Sequence, residues 1–431
     1  MSYLTHASSL CFVVTAGGRL GVSQSDARIV IVGAGHAGGS AAAFLRQYGW
    51  KGPITLVGEE PIAPYQRPPL SKAWLKGEAD AASLALRPDS FYPSSDIALR
   101  LATSAVGIDR EARAVALSSG ETLAYDHLIL ALGSRARKLS LPGLSLAGVL
   151  ELRTVAEADQ LKAALGPGKR LAVIGGGYIG LEAAASARAL GAEAVVIERE
   201  SRVLARVACP ELSAFFQDYH RAKGVEIVVG AAIEALEGVD GHVTGVRLSD
   251  GRLIGCDAVL VGVGAAANEE LARDAGLACN GGIVVDLAAR TADPLIHAIG
   301  DCTHRPLPLY ESMGRLESVP NALEQAKQAA ADLCGRAPPT PEVPWFWSDQ
   351  YDLRLQIAGL PLGAAETVLR GDPAAAQFAI FHLDADERLL AVEAINATPE
   401  FMGGRIMIGK RKKIPGKKLR DMSLSMRDLA A

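Results

Sequence analysis

The chain has 431 residues, 49% of them hydrophobic, and a formal net charge of −4. That length exceeds what one hydrophobic core usually organises and predicts two or three domains. The small net charge gives no global attraction to nucleic acid. No uncharged apolar run reaches the roughly 18 residues of a membrane helix, so neither a nucleic-acid-binding nor a membrane protein is expected.

The first 27 residues precede the first recognisable fold signal. Their short apolar stretch, residues 10–14, has no Lys or Arg before it, which argues against a secretory signal peptide. We expect residues 1–27 to form a disordered extension and the protein to be cytoplasmic.

A first glycine fingerprint occupies residues 28–38, which read RIVIVGAGHAG. An apolar strand enters a GxGxxG turn, in which Gly33 permits the tight turn and Gly35 lets a pyrophosphate approach the backbone. Gly38 lets the following helix pack on the strand, and the helix N-terminus holds the negative charge. Glu59, after the next apolar strand, is expected at the ribose hydroxyls.

The same pattern returns in residues 170–182, which read RLAVIGGGYIGLE. Gly175, Gly177 and Gly180 take the three places of the fingerprint. Glu198 follows the next strand, where a carboxylate would repel the 2′-phosphate of NADPH and favour NADH, although the arginine beside it leaves that preference open. Two dinucleotide sites in one chain indicate that electrons pass between two bound cofactors.

The second fingerprint interrupts the unit that contains the first. Segment 256–264 echoes segment 126–133, and the chain then reaches an apolar strand that ends in Gly300-Asp301. Helices are expected over 156–165 and 319–334, and strands over 353–358 and 378–382. We predict a discontinuous first domain (28–150 and 266–336), an inserted second domain (151–265), and a smaller C-terminal domain (337–431) that ends in a basic tail.

Cysteine spacing limits the chemistry. The six cysteines include no CxxC pair, and none lies between Cys11 and Cys209. A disulfide framework, a metal site and an internal iron–sulfur cluster are therefore not expected. Reduction of disulfides or peroxide through a cysteine next to the first fingerprint is not expected either.

Four segments carry a resemblance to a known family: YQRPPLSK at 65–72, GGGYIGLE at 175–182, ESVPNALEQ at 317–325 and PWFWSDQY at 344–351. Over about residues 28–401 the chain resembles the FAD-dependent, NADH-linked ferredoxin reductases of bacterial oxygenase systems. The resemblance implies an α/β, glutathione-reductase-like flavoprotein with two dinucleotide-binding domains and a smaller α+β C-terminal domain.

The resemblance also implies the cofactor contacts. The residues expected at FAD are Gly33, Gly35, Ala37, Gly38, Glu59, Arg67, Lys72, Val106, Ala131, Gly133, Arg153, Asp301 and Val319. The residues expected at NADH are Gly175, Gly177, Tyr178, Ile179, Gly180, Glu182, Glu198 and Gly264. No metal ligands are expected.

In this family hydride passes from NADH to FAD, and electrons then pass singly to a [2Fe–2S] ferredoxin that supplies a P450 or a Rieske-type dioxygenase. Alignment and electrostatics are the protein's contribution. Lys72 by the isoalloxazine and Glu182 by the nicotinamide carboxamide, paired with each other, are the expected catalytic residues. A surface role for Lys72 and a structural role for Glu182 stay open.

The expected partner is an acidic ferredoxin. Residues 404–431 hold nine basic and two acidic residues, and opposite fields speed association. Trp347 is expected near the flavin edge, although aromatic residues beside a proline also suit a core. The residues expected to bind the partner are Arg87, Lys327, Trp347, Lys410, Arg411, Lys412 and Lys413. An ordinary solvated tail stays open for the basic run.

Two alternatives share these features. One is an electron transferase for rubredoxin or of the nitrite-reductase type, and the other is a redox protein like apoptosis-inducing factor, whose NADH-dependent state governs binding to partners. We expect a monomer or weak homodimer. The ferredoxin, the terminal oxygenase and its substrate are not specified by the sequence.

Overall fold

A computed structural model describes residues 27–431. The predicted disordered extension, apart from Ala27, and Cys11 lie outside the described residues. No helix within residues 27–431 has the length and apolar character that crossing a membrane requires.

The strands, in chain order, are β1 (Ile29–Val32), β2 (Ile54–Val57), β3 (Ile97–Arg100), β4 (Ala105–Asp109), β5 (Ala114–Leu117), β6 (Thr122–Ala124), β7 (His127–Leu130), β8 (Ser134–Ala136), β9 (Val149–Leu150), β10 (Arg170–Ile174), β11 (Glu193–Ile197), β12 (Val225–Val228), β13 (Ile233–Val239), β14 (His242–Leu248), β15 (Leu253–Gly255), β16 (Ala258–Val261), β17 (Ala265–Ala267), β18 (Ile283–Val284), β19 (Ile296–Ala298), β20 (Thr303–Leu307), β21 (Ser312–Gly314), β22 (Trp345–Gln350), β23 (Leu353–Gly359), β24 (Glu366–Asp372), β25 (Gln377–Leu383) and β26 (Leu389–Ile395).

The helices are α1 (His36–Tyr48), α2 (Ala73–Lys76), α3 (Ala81–Leu84), α4 (Phe91–Ser94), α5 (Val155–Ala163), α6 (Tyr178–Ala189), α7 (Pro210–Ala222), α8 (Glu270–Asp274), α9 (Val319–Leu333), α10 (Thr398–Gly409), α11 (Gly416–Arg420) and α12 (Met426–Ala430). The expected helices at 156–165 and 319–334 correspond to α5 and α9, and the expected strands at 353–358 and 378–382 correspond to β23 and β25.

The first sheet has the order β19-β7-β1-β2-β3, with every neighbouring pair parallel. Strand β1 is an unbroken apolar run, IVIV, buried along its whole length, as strands covered on both faces are. The small residues of α1 and α9 let these two helices pack together on one face. Because β19 follows the second fingerprint in sequence, this sheet is assembled from two separated parts of the chain.

The second sheet repeats this arrangement with the order β12-β11-β10-β16-β9, again parallel. Helix α6 follows β10 as α1 follows β1. Strand β9 pairs with β16 in this sheet, so the sheet begins two residues before the predicted boundary at residue 151. The antiparallel pair β8 and β17 joins the two crossings between the units, since β8 lies where the chain leaves the first unit and β17 where it returns.

The third sheet is antiparallel, with the order β22-β23-β26-β25-β24. The expectation of a C-terminal basic tail is wrong in one respect, because the segment is folded. Ile414, Leu419, Met426 and Leu429 are buried in the core of this unit together with α10. Burial of these apolar residues holds α11 and α12 against the sheet, while basic side chains such as Lys417 and Lys418 stay exposed.

Candidate functional site

The first glycine turn has the geometry of a phosphate cradle. Gly33 has φ +112°, and a Cβ there would lie 2.1 Å from the carbonyl oxygen of Ala131. A Cβ at Gly38 would lie 1.9 Å from the carbonyl oxygen of Gly33. At Gly35, in contrast, no atom of residues 27–431 lies within 4 Å of the Cβ position. The turn is therefore closed on the protein side and open on the side where a pyrophosphate would sit.

The N-terminus of α1 is available to an anion. Gly35 is its N-cap, and no side chain caps the helix, so its first amides have no intrahelical acceptor. Gly300 has φ +80°, and its Cβ position lies 3.0 Å from the Cβ of Ala37. This close approach brings the neighbouring Asp301 to the start of α1, as the flavin prediction requires.

Asp301 is the centre of a polar group at the end of the first sheet. Its Oδ2 accepts a hydrogen bond from the Ser134 hydroxyl at 3.0 Å and pairs with Arg153 Nη2 at 3.3 Å. The Cβ position of Gly133, where φ is +65°, lies 3.5 Å from Arg153 Nη2. The structure thus brings together predicted flavin residues that are separated by up to 168 positions in sequence, from Gly133 to Asp301.

Other predicted flavin residues are placed at the edges of this site. Glu59 is exposed after β2 and makes no hydrogen bond or ion pair within residues 27–431. Val106 is 62% exposed in β4, and Val319 is the first residue of α9. Arg67 is already engaged, because its guanidinium pairs with Glu60 at 2.6 Å and also bonds the carbonyl oxygen of Arg153. Arg67 therefore braces the loop before Lys72.

The second turn repeats the cradle. Gly175 has φ +107° and its Cβ position lies 2.4 Å from the carbonyl oxygen of Gly262. That of Gly180 lies 2.3 Å from the carbonyl oxygen of Gly175. The Cβ position of Gly177, the N-cap of α6, has no atom of the described chain within 4 Å. This turn offers a second anion site of the same design.

The remaining predicted NADH residues surround this turn. The Tyr178 ring lies 4.6 Å from the Phe346 ring, while Ile179 is 48% exposed. Burial raises the pKa of the Tyr178 hydroxyl, so the side chain is neutral. Gly264 has φ +104°, and its Cβ position lies 3.1 Å from a guanidinium nitrogen of Arg206.

Glu198 holds the second glycine turn and keeps acceptor positions free for a ligand. Its Oε2 accepts a hydrogen bond from the backbone N–H of Gly176 at 2.7 Å, and its Oε1 accepts one from the N–H of Glu200 at 2.9 Å. The side chain is half-buried. A carboxylate has about four acceptor positions, so Glu198 can brace the turn and still accept from a ribose. Arg199 is exposed and pairs with Glu200.

Lys72 and Glu182 form an ion pair across the two units, as expected. Lys72 Nζ lies 2.6 Å from Glu182 Oε2 and donates to the carbonyl oxygen of Pro68 at 3.0 Å. Glu182 is only 4% exposed and also accepts from the hydroxyls of Ser71 at 2.5 Å and Ser348 at 2.6 Å. A buried carboxylate so fully hydrogen-bonded has a fixed orientation.

The aromatic segment of β22 has two faces. Trp345 and Trp347 lie on one face with their rings 5.6 Å apart, and Arg405 stands 5.5 Å from the Trp345 ring centroid. Phe346 and Ser348, on the opposite face, contact the residues of α6 described above. This alternation follows the two-residue period of a strand. One face of the strand therefore contacts predicted NADH residues of α6, and the other face carries the tryptophans.

The predicted partner cations are not all equivalent. Lys327 lies 3.8 Å from Glu342, which also pairs with Arg405 at 2.7 Å, so both belong to the neighbourhood of Trp345. Arg87 is exposed and stacks on Phe91 at 5.8 Å.

The basic run 410–413 contacts a different part of the surface. Arg411 pairs with Glu311 at 3.3 Å, Lys413 with Asp386 at 3.9 Å, and Lys410 donates to the carbonyl oxygen of Ala430. Lys412 is half-buried. These pairs make the local positive field weaker than the sequence alone indicates.

Sequence reasoning missed three residues of the site. Ser348 lies inside a recognised segment, but nothing local shows that its hydroxyl meets Glu182. Arg405 was visible only as one of several cations. Arg206 is exposed beside Gly264 and makes no hydrogen bond or ion pair within the described chain, and no motif marks it.

Cys209, His382 and Glu393 offer potential ligand atoms that all lie within 4.8 Å of one another. Glu393 accepts a hydrogen bond from the backbone N–H of Cys209 at 3.2 Å, at the N-terminus of α7. A carboxylate there satisfies a free helix amide and complements the helix dipole. The group thus joins the third sheet to the second unit, and the absence of a metal site stays a prediction.

Comparison with known proteins decides the family. Residues 27–326 match the pyridine nucleotide-disulphide oxidoreductase family, and residues 345–430 match the reductase C-terminal domain. The chain is 52% identical to the probable ferredoxin reductase CtmF of Castellaniella defragrans, over 94% of this chain and 100% of that one. It is 43% identical to rhodocoxin reductase of Rhodococcus erythropolis, over 93% of each chain. The chain belongs to the FAD-dependent ferredoxin reductases.

A solved structure supports this ferredoxin reductase assignment. Putidaredoxin reductase in its covalent complex with putidaredoxin matches with a TM-score of 0.92 and 40% identity, over 94% of this chain and 98% of that one. The fold class, the family and the dependence on FAD and NADH predicted from the sequence are confirmed. The two open glycine turns and the uncapped N-termini of α1 and α6 fit these cofactors.

Proposed function

We propose that this ferredoxin reductase binds FAD at the turn 33–38 and NADH at the turn 175–180, and that its acceptor is a [2Fe–2S] ferredoxin that supplies a P450 or a Rieske-type dioxygenase. The first unit (28–150 and 266–336) would then be the FAD domain, the second (151–265) the NADH domain, and the third (337–431) the domain facing the ferredoxin. The observation that carries the proposal is the ion pair between Lys72 and Glu182, at 2.6 Å.

FAD, when bound, supplies a hydride acceptor that can release its electrons one at a time. Asp301 and the amides of α1 hold it at one end, while Lys72 places a fixed positive charge near its ring. A preorganised charge stabilises negative charge that develops during reaction, because no reorientation is needed. Lys72 has that character, since Pro68 and Glu182 hold its Nζ from two sides.

On the nicotinamide side, the protein orients NADH and disfavours NADPH. The amides of α6 receive the pyrophosphate, and Glu198 accepts from the adenosine ribose and disfavours a 2′-phosphate. Glu182 stands five residues into α6, where it can meet the carboxamide. Alignment of two rings is worth large rate factors, and a misplacement of about 1 Å can cost roughly a hundredfold.

The proposed function is tested through Glu182. In stopped flow, Glu182→Ala should reduce the rate of flavin reduction by NADH on the order of a hundredfold, while FAD remains bound. Glu193→Ala, an exposed acid of the same unit, is the matched control and should react as wild type does. Reduction of cytochrome c by NADH should require an added ferredoxin. A Glu182→Ala protein with wild-type flavin reduction would contradict the proposed role.

We propose further that an acidic ferredoxin docks over the face that carries Trp345 and Trp347. Arg405 and Lys327 stand around Trp345, Arg87 lies on the first unit, and the run 410–413 adds partly paired cations on another part of the surface. Charge complementarity of this kind raises association rates and is screened by salt over roughly 8–10 Å. Support for this face comes from the concentration of cations around an aromatic surface.

The docking face is tested by charge reversal. Lys327→Glu with Arg405→Glu should raise the KM for ferredoxin about tenfold at low salt, and Lys410→Glu with Lys412→Glu should raise it less. Neither pair should alter flavin reduction by NADH. Arg252→Glu, on the β14–β15 hairpin, is the control for charge reversal away from this face. An unchanged KM in both pairs, or an equal rise in the control, would contradict the proposed face.

The alternative acceptors are distinguished by the same assay. A rubredoxin would be reduced at the same cofactor sites but would not depend on the face around Trp347. We propose a cytoplasmic location and a monomer or weak homodimer. A rubredoxin reduced faster than every [2Fe–2S] ferredoxin tested would favour the alternative.

A further inference from the structure

Glu182 is held on both oxygens by different parts of the chain. Its Oε2 accepts from Lys72 and Ser71, which precede α2, while its Oε1 accepts from the Ser348 hydroxyl of β22 at 2.6 Å. Ser348 is fully buried. The orientation of the carboxylate, and with it the place of Lys72 Nζ, therefore depends on a residue of the third unit.

Ser348 is itself oriented by two further buried groups. The side-chain amide of Gln350 donates to Ser348 Oγ at 3.1 Å, and Gln350 Oε1 lies 2.7 Å from His220 Nε2. Gln350 is 1% exposed and His220 is fully buried.

The donors and acceptors available determine the direction of every hydrogen bond in this network. A carboxylate only accepts, so Ser348 donates to Glu182 and must itself accept from Gln350. The amide oxygen of Gln350 then accepts from His220, whose Nε2 carries the proton. Burial lowers the pKa of His220 to about 4, so its ring is neutral at pH 7 and does not add a charge to the network. The hydrogen bonds that connect His220 to Lys72 can therefore point in only one direction each.

The strand alternation explains why this network is built from the third unit. Ser348 and Gln350 are two residues apart and share one face of β22, directed at α6 and α7. Trp347, the residue before Ser348, points to the opposite face. The third unit therefore contributes to the ring-stacking site as well as to the proposed docking face.

We propose that Ser348, oriented by Gln350 and His220, is a positioning residue for hydride transfer. It holds Oε1 of Glu182 so that Oε2 keeps Lys72 in place and the carboxylate faces the nicotinamide. This inference rests on the proposed role of Glu182. Loss of the Ser348 hydroxyl leaves a buried carboxylate oxygen without a donor, which favours rotation of the group or entry of water. The flavin and NADH binding surfaces themselves are left intact.

Stopped-flow reduction of the holoenzyme by NADH tests this role. Ser348→Ala should lower the limiting rate of flavin reduction about tenfold, with the dissociation constant for NADH changed by less than about twofold. Ser348→Thr, which keeps the hydroxyl, should recover most of the rate. Ser213→Ala is the matched control, because Ser213 is equally buried and its hydroxyl bonds the carbonyl oxygen of Val203 in another part of the second unit. Flavin content and thermal melting identify variants that fail to fold.

Two further arms separate the possible failures. If Glu182→Gln slows reduction and Ser348→Ala does not, the inference is wrong and the role of Glu182 stands. If Glu182→Gln reacts as wild type does, the proposed role of Glu182 fails. The double variant should be no slower than Glu182→Gln alone, because both changes act through one carboxylate. Additive losses, or a Ser348→Ala defect confined to NADH affinity, would also overturn the inference.

Discussion

The two glycine turns of this molecule are built alike and differ at one contact. Register places Gly58 and Glu198 at corresponding positions, because Val32 pairs with Val57 in the first sheet and Ile174 with Ile197 in the second. In the first unit a Cβ at Gly58 would lie 2.5 Å from the Cβ of Ala34. In the second, the residue facing Glu198 is a glycine, Gly176, and its amide bonds the carboxylate.

The larger and the smaller residue of this contact have therefore changed places between the two units. The first turn carries the larger residue on the loop and a glycine on the strand end, and the second carries the reverse. The acid of the first unit, Glu59, is displaced one residue further and is exposed, whereas Glu198 faces its own turn. Two copies of one pattern therefore have the same phosphate cradle and different ribose neighbourhoods, so they can hold different dinucleotides.

The largest expected effect comes from disrupting either cradle. Gly38→Ala would place a methyl group 1.9 Å from the backbone of Gly33, and Gly180→Ala would place one 2.3 Å from that of Gly175. Each turn must then open. We expect Gly38→Ala to be purified without FAD, and Gly180→Ala to keep FAD but bind NADH at least tenfold more weakly, since a 1.4 kcal/mol loss already gives that factor.

Absorbance of bound flavin and titration with NADH measure the two effects. Gly255→Ala is the control, because its nearest neighbour would be a carbonyl oxygen at 3.9 Å. Loss of FAD from Gly180→Ala, or retention of both cofactors in both variants, would contradict the assignment of one cofactor to each turn.

The sequence predicted the cradles well because their requirements are local. A turn with positive φ and a close helix approach needs glycine at fixed spacing, and both fingerprints show it. Pairing of Lys72 with Glu182 was available only through the resemblance. The register difference between Glu59 and Glu198 depends on where each strand ends, which spacing does not define to one residue.

Other parts of the site depend on distant contacts. Ser348 and Glu182 are 166 residues apart, and a serine inside an aromatic segment carries no sign of that contact. The sequence predicts a tail at the C-terminus because basic residues far outnumber acidic ones there. Burial of Ile414 and Leu419 in the core of the third unit nevertheless folds this segment. Strand β9 has only two residues and gives no periodicity to detect.

The second-largest expected effect concerns Glu198 and Glu59, the acids that follow the second strand of each unit. Glu198→Gln removes charge from the position that disfavours a 2′-phosphate and weakens its bond with Gly176, whereas Glu59→Gln changes an exposed group. We expect Glu198→Gln to reduce the preference for NADH over NADPH about tenfold, as loss of one charge-dependent contact does. Glu59→Gln should leave the preference unchanged and only weaken FAD retention.

Flavin reduction rates with each nucleotide give the preference, and flavin release in mild denaturant gives FAD retention. Equal discrimination in Glu198→Gln and wild type would assign the preference to other groups, with Arg199 and Arg206 the first to be replaced. A change of preference in Glu59→Gln would show that the two acids are not divided between the cofactors.

The smallest expected effect lies at the opposite ends of the two sheets, where both units have the same hydrogen bond. Asp126 accepts from the backbone N–H of Arg28 at 2.7 Å, and Asp257 accepts from that of Arg170 at 2.8 Å, so each acid ties a fingerprint strand to its closing strand. Both pairs are partly exposed, which limits each bond to about 1 kcal/mol. Asp126→Asn should therefore speed amide exchange in β1 about fivefold, and Asp257→Asn should do the same in β10, with little effect on the other sheet.

The hydrogen bond from the Arg28 side chain lowers the pKa of Asp126. The contribution of Asp126 to stability is therefore fully present above the ordinary carboxyl pKa of about 3.9 and is lost as pH falls through the lowered value. Hydrogen–deuterium exchange with mass spectrometry at pH 7, and urea unfolding of the protein at pH 7 and pH 3, should show a wild-type advantage over Asp126→Asn that is smaller in acid. An undiminished advantage at pH 3, or exchange that rises in both sheets for either variant, would mean that these acids do not act as separate ties, one for each copy.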